Sequence, residues 1–121
     1  MPKTVLVVDD SATQRAHLKA VLEQEGYTVV TLCDGPAALE TIQAQPPDLV
    51  LADVLMTPMD GYELCRQIKS SPATQKTPVI LISTLGKPTD NYWAQYSQVD
   101  AYLTKTADPS QMLETIRRLL L

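Results

Sequence analysis

Five short apolar segments alternate along the chain with longer amphipathic ones, and this alternation is the feature that most constrains the fold. The apolar segments lack the strict polar alternation of a strand with one wet face, so they are typical of strands buried on both faces. Because the intervening segments have helical periodicity, we expect a doubly wound α/β fold with five parallel strands and five helices. The predicted strands span residues 4–8, 28–32, 49–52, 79–82 and 101–104.

Local signals place the boundaries of the predicted helices. The first helix lies between Ser11, a good N-cap, and Gly26, a natural left-handed stop. The second begins at Pro36 and ends before Pro46. The third helix follows Gly61, and the fourth is expected over residues 89–97. The last helix begins with Asp108 as N-cap and Pro109 in its first position.

Length and composition fit a single domain, 1–121, with no separate output domain. A chain of 121 residues, 45% of them hydrophobic, buries a sufficient core without cross-links. The net charge of −4 is the wrong sign for binding nucleic acid phosphates. The first apolar run has only four residues, so neither a signal peptide nor membrane insertion is expected. Cys33 and Cys65 have no metal-binding or redox spacing and predict buried thiols in a reducing cytoplasm.

Polar side chains follow four of the predicted strands: Asp9-Asp10 the first, Asp53 the third, Ser83-Thr84 the fourth and Lys105 the fifth. The carboxyl ends of parallel strands meet at one rim of a sheet. If the first and third strands are neighbours, the three carboxylates meet there and need a counter-ion. Oxygen ligands without His or Cys favour Mg²⁺, or Mn²⁺ in its place, over zinc.

This set of side chains also indicates a chemistry. A carboxylate held by a divalent ion, beside a lysine and a hydroxyl, can act as a nucleophile toward a phosphoryl group. The lysine and the hydroxyl would stabilise the charge that develops on the transferred group. Taken singly, each acid is typical of a solvated loop, and only the combination predicts a site.

The segments around these residues carry a resemblance to a known family. They read Val5-Leu6-Val7-Val8-Asp9-Asp10-Ser11, Asp48-Leu49-Val50-Leu51-Ala52-Asp53, Met59-Asp60-Gly61, Pro78-Val79-Ile80-Leu81-Ile82-Ser83 and Ala101-Tyr102-Leu103-Thr104-Lys105. On these segments the chain resembles the receiver domain of two-component response regulators, in the chemotaxis type that consists of a receiver alone. The resemblance covers essentially the whole chain, and it implies a flavodoxin-like sheet with strand order 2-1-3-4-5.

The resemblance implies a role for each acid. Asp53 would accept a phosphoryl group from the phosphohistidine of a chemotaxis-type sensor histidine kinase. Asp10 and Asp53 would bind Mg²⁺ directly, together with the main-chain carbonyl of Leu55, and Asp9 would act through water. The chain would catalyse only its own phosphorylation and dephosphorylation, and it would not otherwise be an enzyme.

The resemblance also implies how a signal leaves the site. Ser83 and Lys105 would contact the phosphoryl oxygens, and Tyr102 matches an aromatic switch that turns inward when Ser83 moves. The output surface would be formed by the fourth helix, fifth strand and last helix. Residues 83–93, with a Thr-Asp pair before Trp93, are similar to receivers of pilus-motility chemotaxis systems. Trp93 is either a partner anchor on this surface or a packed core residue.

Three departures from the family pattern stand out. Thr106 follows Lys105 where the family usually has a proline joined by a cis bond, which puts the position of Lys105 in question. The usual Met-Pro pair appears as Met56-Thr57-Pro58, and Gln98-Val99 replaces a common Gly-Ala at the end of the fourth helix.

Three further positions carry weaker expectations. Leu55 and Leu85, two residues after Asp53 and Ser83, cannot orient an attacking water, which predicts slow dephosphorylation. His17, on the first helix with no acid or cysteine at metal-ligand spacing, is expected to be a surface or partner-packing residue.

Other functions remain open from the sequence. A degenerate receiver with a misplaced Lys105 would act as a phosphorylation-independent docking module. A flavodoxin-like FMN carrier is disfavoured because Asp9-Asp10 repel phosphate. An aspartate-nucleophile phosphatase is disfavoured because its second aspartate is replaced by Leu55 after Asp53 and by Ser11 after Asp9. The sequence names no downstream partner and allows either a monomer or a phosphorylation-dependent dimer.

Overall fold

The predicted parallel sheet is present in a computed structural model, which describes residues 2–83, 98–105 and 108–121. In these ranges five strands form one sheet in the order β2-β1-β3-β4-β5, with every neighbouring pair parallel. The strands are β1 (Thr4–Val8), β2 (Thr28–Leu32), β3 (Leu49–Asp53), β4 (Val79–Ser83) and β5 (Ala101–Thr104). The predicted strand positions and strand order are therefore confirmed, with β3 and β4 each one residue longer than expected.

Four helices connect or follow these strands in the described ranges, and each begins at an acid or serine N-cap. They are α1 (Ala12–Gln24), α2 (Gly35–Ala44), α3 (Gly61–Ser70) and α4 (Pro109–Leu119). The caps Ser11, Asp34, Asp60 and Asp108 each accept a hydrogen bond from a backbone N–H in the first turn. Because Asp34 is a cap, α2 begins one residue before the predicted Pro36. The predicted fourth helix, 89–97, lies outside the described residues.

Both faces of the sheet are covered, which explains the continuous apolar strands. On one face α2 and α3 pack against alternate strand residues such as Leu6, Val50 and Leu81. On the other face α1 and α4 pack against Val7 and Ile80 together with their neighbours. Because helices cover both faces of the sheet, the strand ends are where polar side chains of the strands can form a site.

The structure corrects the prediction for one of the two cysteines. Cys65 is buried in α3, as expected, and burial is the main reason that its pKa is raised to about 12. Cys33, predicted to be buried, is exposed because it follows the last residue of the edge strand β2 and precedes the helix cap Asp34. The two cysteines do not form a disulfide with each other.

Two backbone features were not predicted from the sequence. The Thr57–Pro58 peptide bond is cis, and Gln98 adopts a left-handed conformation with a φ of 59°. None of the described helices is long and apolar enough to span a membrane.

Candidate functional site

The acidic residues meet because β1 and β3 are neighbours in the sheet. Val8 pairs with Ala52 across the two strands, so the next residues, Asp9 and Asp53, lie side by side at this end of the sheet. Ligand oxygens of Asp9, Asp10 and Asp53 lie within 4.8 Å of one another. We call these three residues the acid cluster. Asp9 and Asp53 are buried, whereas Asp10 is exposed.

Asp9 is the most enclosed member of the acid cluster, with 0% of its surface exposed. Its Oδ1 atom accepts a hydrogen bond from the backbone N–H of Ser11 at 2.9 Å. Its Oδ2 atom is buried and receives no well-oriented hydrogen bond from the described part of the chain, although the ammonium of Lys105 lies 3.2 Å away. One carboxylate oxygen is therefore held and the other lacks a full set of partners.

Asp53 and Lys105 form the centre of the site. The Lys105 Nζ atom donates to Asp53 Oδ2 at 2.9 Å, and the backbone N–H of Leu55 donates to Asp53 Oδ1 at 3.2 Å. The main chain of Lys105 is fixed by a hydrogen bond of 2.7 Å from its N–H to the Ser83 carbonyl. Lys105, at the end of β5, therefore contacts the acid cluster even though Thr106 replaces the usual proline after it.

The electrostatics of the site follow from burial and from these contacts. Burial is the main reason that the pKa of Asp9 is raised, and the negative charge of Asp53 adds to the effect. Burial opposes the charged form of Lys105, but its contacts with Asp53 and Asp9 outweigh that effect and raise its pKa. Lys105 therefore stays an ammonium ion and offsets part of the negative charge of the cluster.

The acid cluster has the donor set that a divalent cation prefers. Three carboxylates within 4.8 Å of one another carry more negative charge than one lysine can neutralise. The under-partnered Asp9 Oδ2 gives a structural reason for a further positive group in the same place. Hard oxygen ligands with one exposed member, Asp10, suit a partly hydrated Mg²⁺ or Mn²⁺ ion. The residues present therefore fit the predicted metal.

Gly61 shapes the back of the site, a role that the sequence analysis did not assign to it. A Cβ atom at this position would lie 2.5 Å from the carbonyl oxygen of Asp53 and 3.0 Å from the Cα of Val54. The Gly61 N–H donates to the Val54 carbonyl at 2.9 Å. The start of α3 therefore lies directly against the backbone that carries Asp53. Its place in the Met59-Asp60-Gly61 motif was the available signal.

Arg15 is a second residue that the sequence analysis missed. It lies in the first turn of α1, and its guanidinium Nη1 donates to the carbonyl oxygen of Asp9 at 2.6 Å. A cation in the first turn of a helix is opposed by the helix dipole, so its presence there signals a specific acceptor.

The remaining predicted residues are distributed as follows. Ser83 is buried at the end of β4, and Leu55 is 52% exposed beside Asp53. Tyr102, in β5, is half-buried against the α2–α3 side of the core. His17 is exposed on α1, as expected of a surface residue. The predicted residues Thr84, Leu85, Trp93 and Thr106 lie outside the described part of the chain.

Comparison with known proteins agrees with the fold and the site. Residues 5–117 match the family described as the response regulator receiver domain, and the chain belongs to this family. Receiver domains are signalling domains that interact with histidine kinases and downstream targets.

Three relatives match nearly the whole chain. It is 34% identical to protein PilH of Pseudomonas aeruginosa over 116 residues, 96% of each chain. It is 34% identical to protein PilG of the same organism over 113 residues, 93% of this chain and 84% of PilG. The structure is similar to that of the chemotaxis response regulator CheY4 of Vibrio cholerae, with a TM-score of 0.91 and 29% identity, covering 99% of this chain and all of CheY4.

Proposed function

We propose that the protein is a phosphorylation-controlled switch in which Asp53 accepts a phosphoryl group from the phosphohistidine of a histidine kinase. The observation that carries this proposal is the contact of 2.9 Å between Lys105 Nζ and Asp53 Oδ2, beside two further carboxylates. It supports a site in which Asp53 would be the nucleophile, Lys105 the resident cation and the acid cluster the place where a divalent cation binds.

The transfer exchanges one bond to phosphorus for another. A carboxylate oxygen of Asp53 forms a bond to phosphorus while the bond from phosphorus to the donor imidazole nitrogen breaks. The electron pair stays on that nitrogen, and the donor leaves as neutral imidazole with the proton that it carried. A Mg²⁺ ion bound by the acid cluster would neutralise charge on the phosphoryl oxygens.

Residues of neighbouring strands would hold the transferred group. The Lys105 ammonium contacts Asp53 at 2.9 Å and could exchange this contact for a phosphoryl oxygen, because the phosphoryl group would be attached to Asp53 itself. We assign the Ser83 hydroxyl as a donor to a second phosphoryl oxygen. Ser83 follows Ile82, the residue of β4 that pairs with Asp53. Asp10, Asp53 and the main-chain carbonyl of Leu55 would bind the metal ion directly, and Asp9 would act through water.

We further propose that the signal leaves through the receiver's own surface near β5. Tyr102 lies on β5, the strand that ends one residue before Lys105, so a movement of Lys105 would be transmitted to it along the same strand. The matches to PilH and to CheY4 along nearly their whole lengths support a chemotaxis-type kinase as the donor. Pilus motility is the process that we propose for the output, with Trp93 as a candidate partner contact.

The position of Lys105 favours the switch over a phosphorylation-independent docking module. The docking hypothesis requires the lysine to be displaced by the loop at Thr106. Lys105 instead lies within ion-pair distance of both Asp9 and Asp53.

The test is the intact mass after incubation with acetyl phosphate and Mg²⁺. We expect the wild type and Asp60→Asn, a matched control at the exposed cap of α3, to gain one phosphoryl group. Asp53→Asn should gain none, because an amide oxygen is a poor nucleophile. No addition to a wild-type protein that binds Mg²⁺ would refute the switch and support the docking module.

A further inference from the structure

We propose that Arg15 is a positioning residue of the acid cluster: its guanidinium holds the peptide between Asp9 and Asp10 and so sets the affinity of the cluster for a divalent cation. The inference rests on the metal site of the proposed function. It does not depend on phosphoryl transfer to Asp53.

The side chain of Arg15 runs back from the helix to the end of β1. Its backbone N–H donates to the Ser11 carbonyl at 3.0 Å, which fixes it in the first turn of α1. Side chains of a helix tilt toward its N-terminus, so the half-buried guanidinium reaches the preceding loop. There Nη1 donates to the carbonyl oxygen of Asp9 at 2.6 Å, a charge-assisted hydrogen bond.

This hydrogen bond acts on Asp10 through the geometry of the peptide bond. The Asp9 carbonyl and the Asp10 nitrogen belong to one planar unit, so holding the carbonyl also fixes the direction in which Asp10 continues. Asp9 itself is held twice more, by its N–H to the Leu32 carbonyl at 3.1 Å and by its Oδ1 to the Ser11 N–H. Asp10 is exposed, so the backbone rather than packing directs its carboxylate.

The charge of Arg15 alone predicts the opposite effect on metal binding. A guanidinium near three carboxylates competes with a divalent ion, and its removal would then tighten binding. Positioning predicts that removal weakens binding, because the ligand set is no longer arranged in advance. The two effects therefore differ in sign, and one titration separates them.

The experiment measures Mn²⁺ affinity from the electron paramagnetic resonance signal of the free ion. We expect Arg15→Met to raise the Kd about tenfold, within the range usual for residues that orient metal ligands. Arg15→Lys should lie between Arg15→Met and the wild type, because it keeps a charged donor at shorter reach. Arg118→Met, at an exposed arginine of α4, is the matched control and should bind like the wild type. Arg15→Gln replaces Arg15→Met if the latter does not fold.

Each outcome distinguishes this inference from the proposed function. A wild type that binds Mn²⁺ while the Arg15 variants bind equally well or more tightly would overturn the role of Arg15 and leave the switch intact. A wild type that does not bind Mn²⁺ would overturn both the metal site and the inference. Weaker Mn²⁺ binding in the Arg15 variants, combined with failure to phosphorylate the wild type, would support the positioning role of Arg15 and refute the phosphorylation switch.

Discussion

Asp9→Asn should stabilise the metal-free protein, although Asp9 belongs to the proposed site. At an effective dielectric constant of 20, the attraction of Asp9 to Lys105 at 3.2 Å contributes about 5 kcal/mol. The repulsion from the buried Asp53, whose ligand oxygen lies within 4.8 Å, contributes about 3.5 kcal/mol on the same basis, whereas the exposed Asp10 is screened by water. These two charges leave a net attraction of about 1.5 kcal/mol, and the cost of burying Asp9, the main reason that its pKa is raised, outweighs it. The charge on Asp9 is therefore unfavourable in the folded protein. Asparagine keeps an oxygen for the Ser11 N–H and removes this charge.

The pH dependence gives the same prediction a second readout. Burial first, and then the charge of Asp53, raise the pKa of Asp9, so the folded state binds its proton at a higher pH than the unfolded state does. The free energy of unfolding must therefore increase as the pH falls through the folded-state pKa. Asp9→Asn lacks this titration, so its advantage over the wild type should shrink as the pH falls from neutral toward the ordinary range of an aspartate.

The assay is thermal unfolding in EDTA, repeated with millimolar Mg²⁺. We expect Asp9→Asn to melt above the wild type, by about 4 °C for each kcal/mol gained in a chain of this length. Mg²⁺ should raise the Tm of the wild type more than that of Asp9→Asn, because the ion binds a cluster that only the folded state assembles. Asp60→Asn is the control and should respond to Mg²⁺ like the wild type. A metal-free Asp9→Asn variant that melts below the wild type would refute the reasoning.

Three further substitutions or treatments test other parts of the structure. Gly61→Ala should lower the free energy of unfolding in urea by about 2–3 kcal/mol, because its Cβ would meet the backbone oxygen of Asp53 at 2.5 Å; an unchanged midpoint would contradict that contact. Leu55→Asn should speed loss of the phosphoryl group, followed by intact mass, because it adds a polar group that can orient water. Because Leu55 is 52% exposed, the free energy of unfolding of this variant should differ from the wild type by less than about 0.5 kcal/mol. An unchanged rate of phosphoryl loss would contradict the proposed effect on water. Iodoacetamide should label the exposed Cys33 in the native protein and spare Cys65, which is buried with a pKa of about 12; equal labelling would show that Cys65 is accessible.

The sequence alone located the five strands and the four described helices along the chain. Burial on both faces gives β1, β3 and β4 continuous apolar runs. The edge strands β2 and β5 are only partly buried, but their apolar runs could also be located without knowledge of their neighbours. Caps such as Ser11 and Asp108 act on the backbone within two or three residues, and both were placed correctly. These features are local, and a local pattern is present in the chain before it folds.

The tertiary structure decided how the side chains of distant segments meet. The sequence indicated that Asp9, Asp53 and Lys105 end different strands, but their contacts depend on the order of those strands and on the register between β1 and β3. The position of Lys105 was in question because its neighbour is Thr106, and the pairing of β4 with β5 places it at the acid cluster.

Three features had no reliable local signal for the same reason. The exposure of Cys33 depends on β2 being an edge strand, which a sequence of alternating elements does not state. The approach of Gly61 to Asp53 and the reach of Arg15 to Asp9 are contacts between an element and the loop beside it. Hydrophobic periodicity records which face of an element is buried, whereas these contacts depend on the distances between packed elements, which only the folded chain defines.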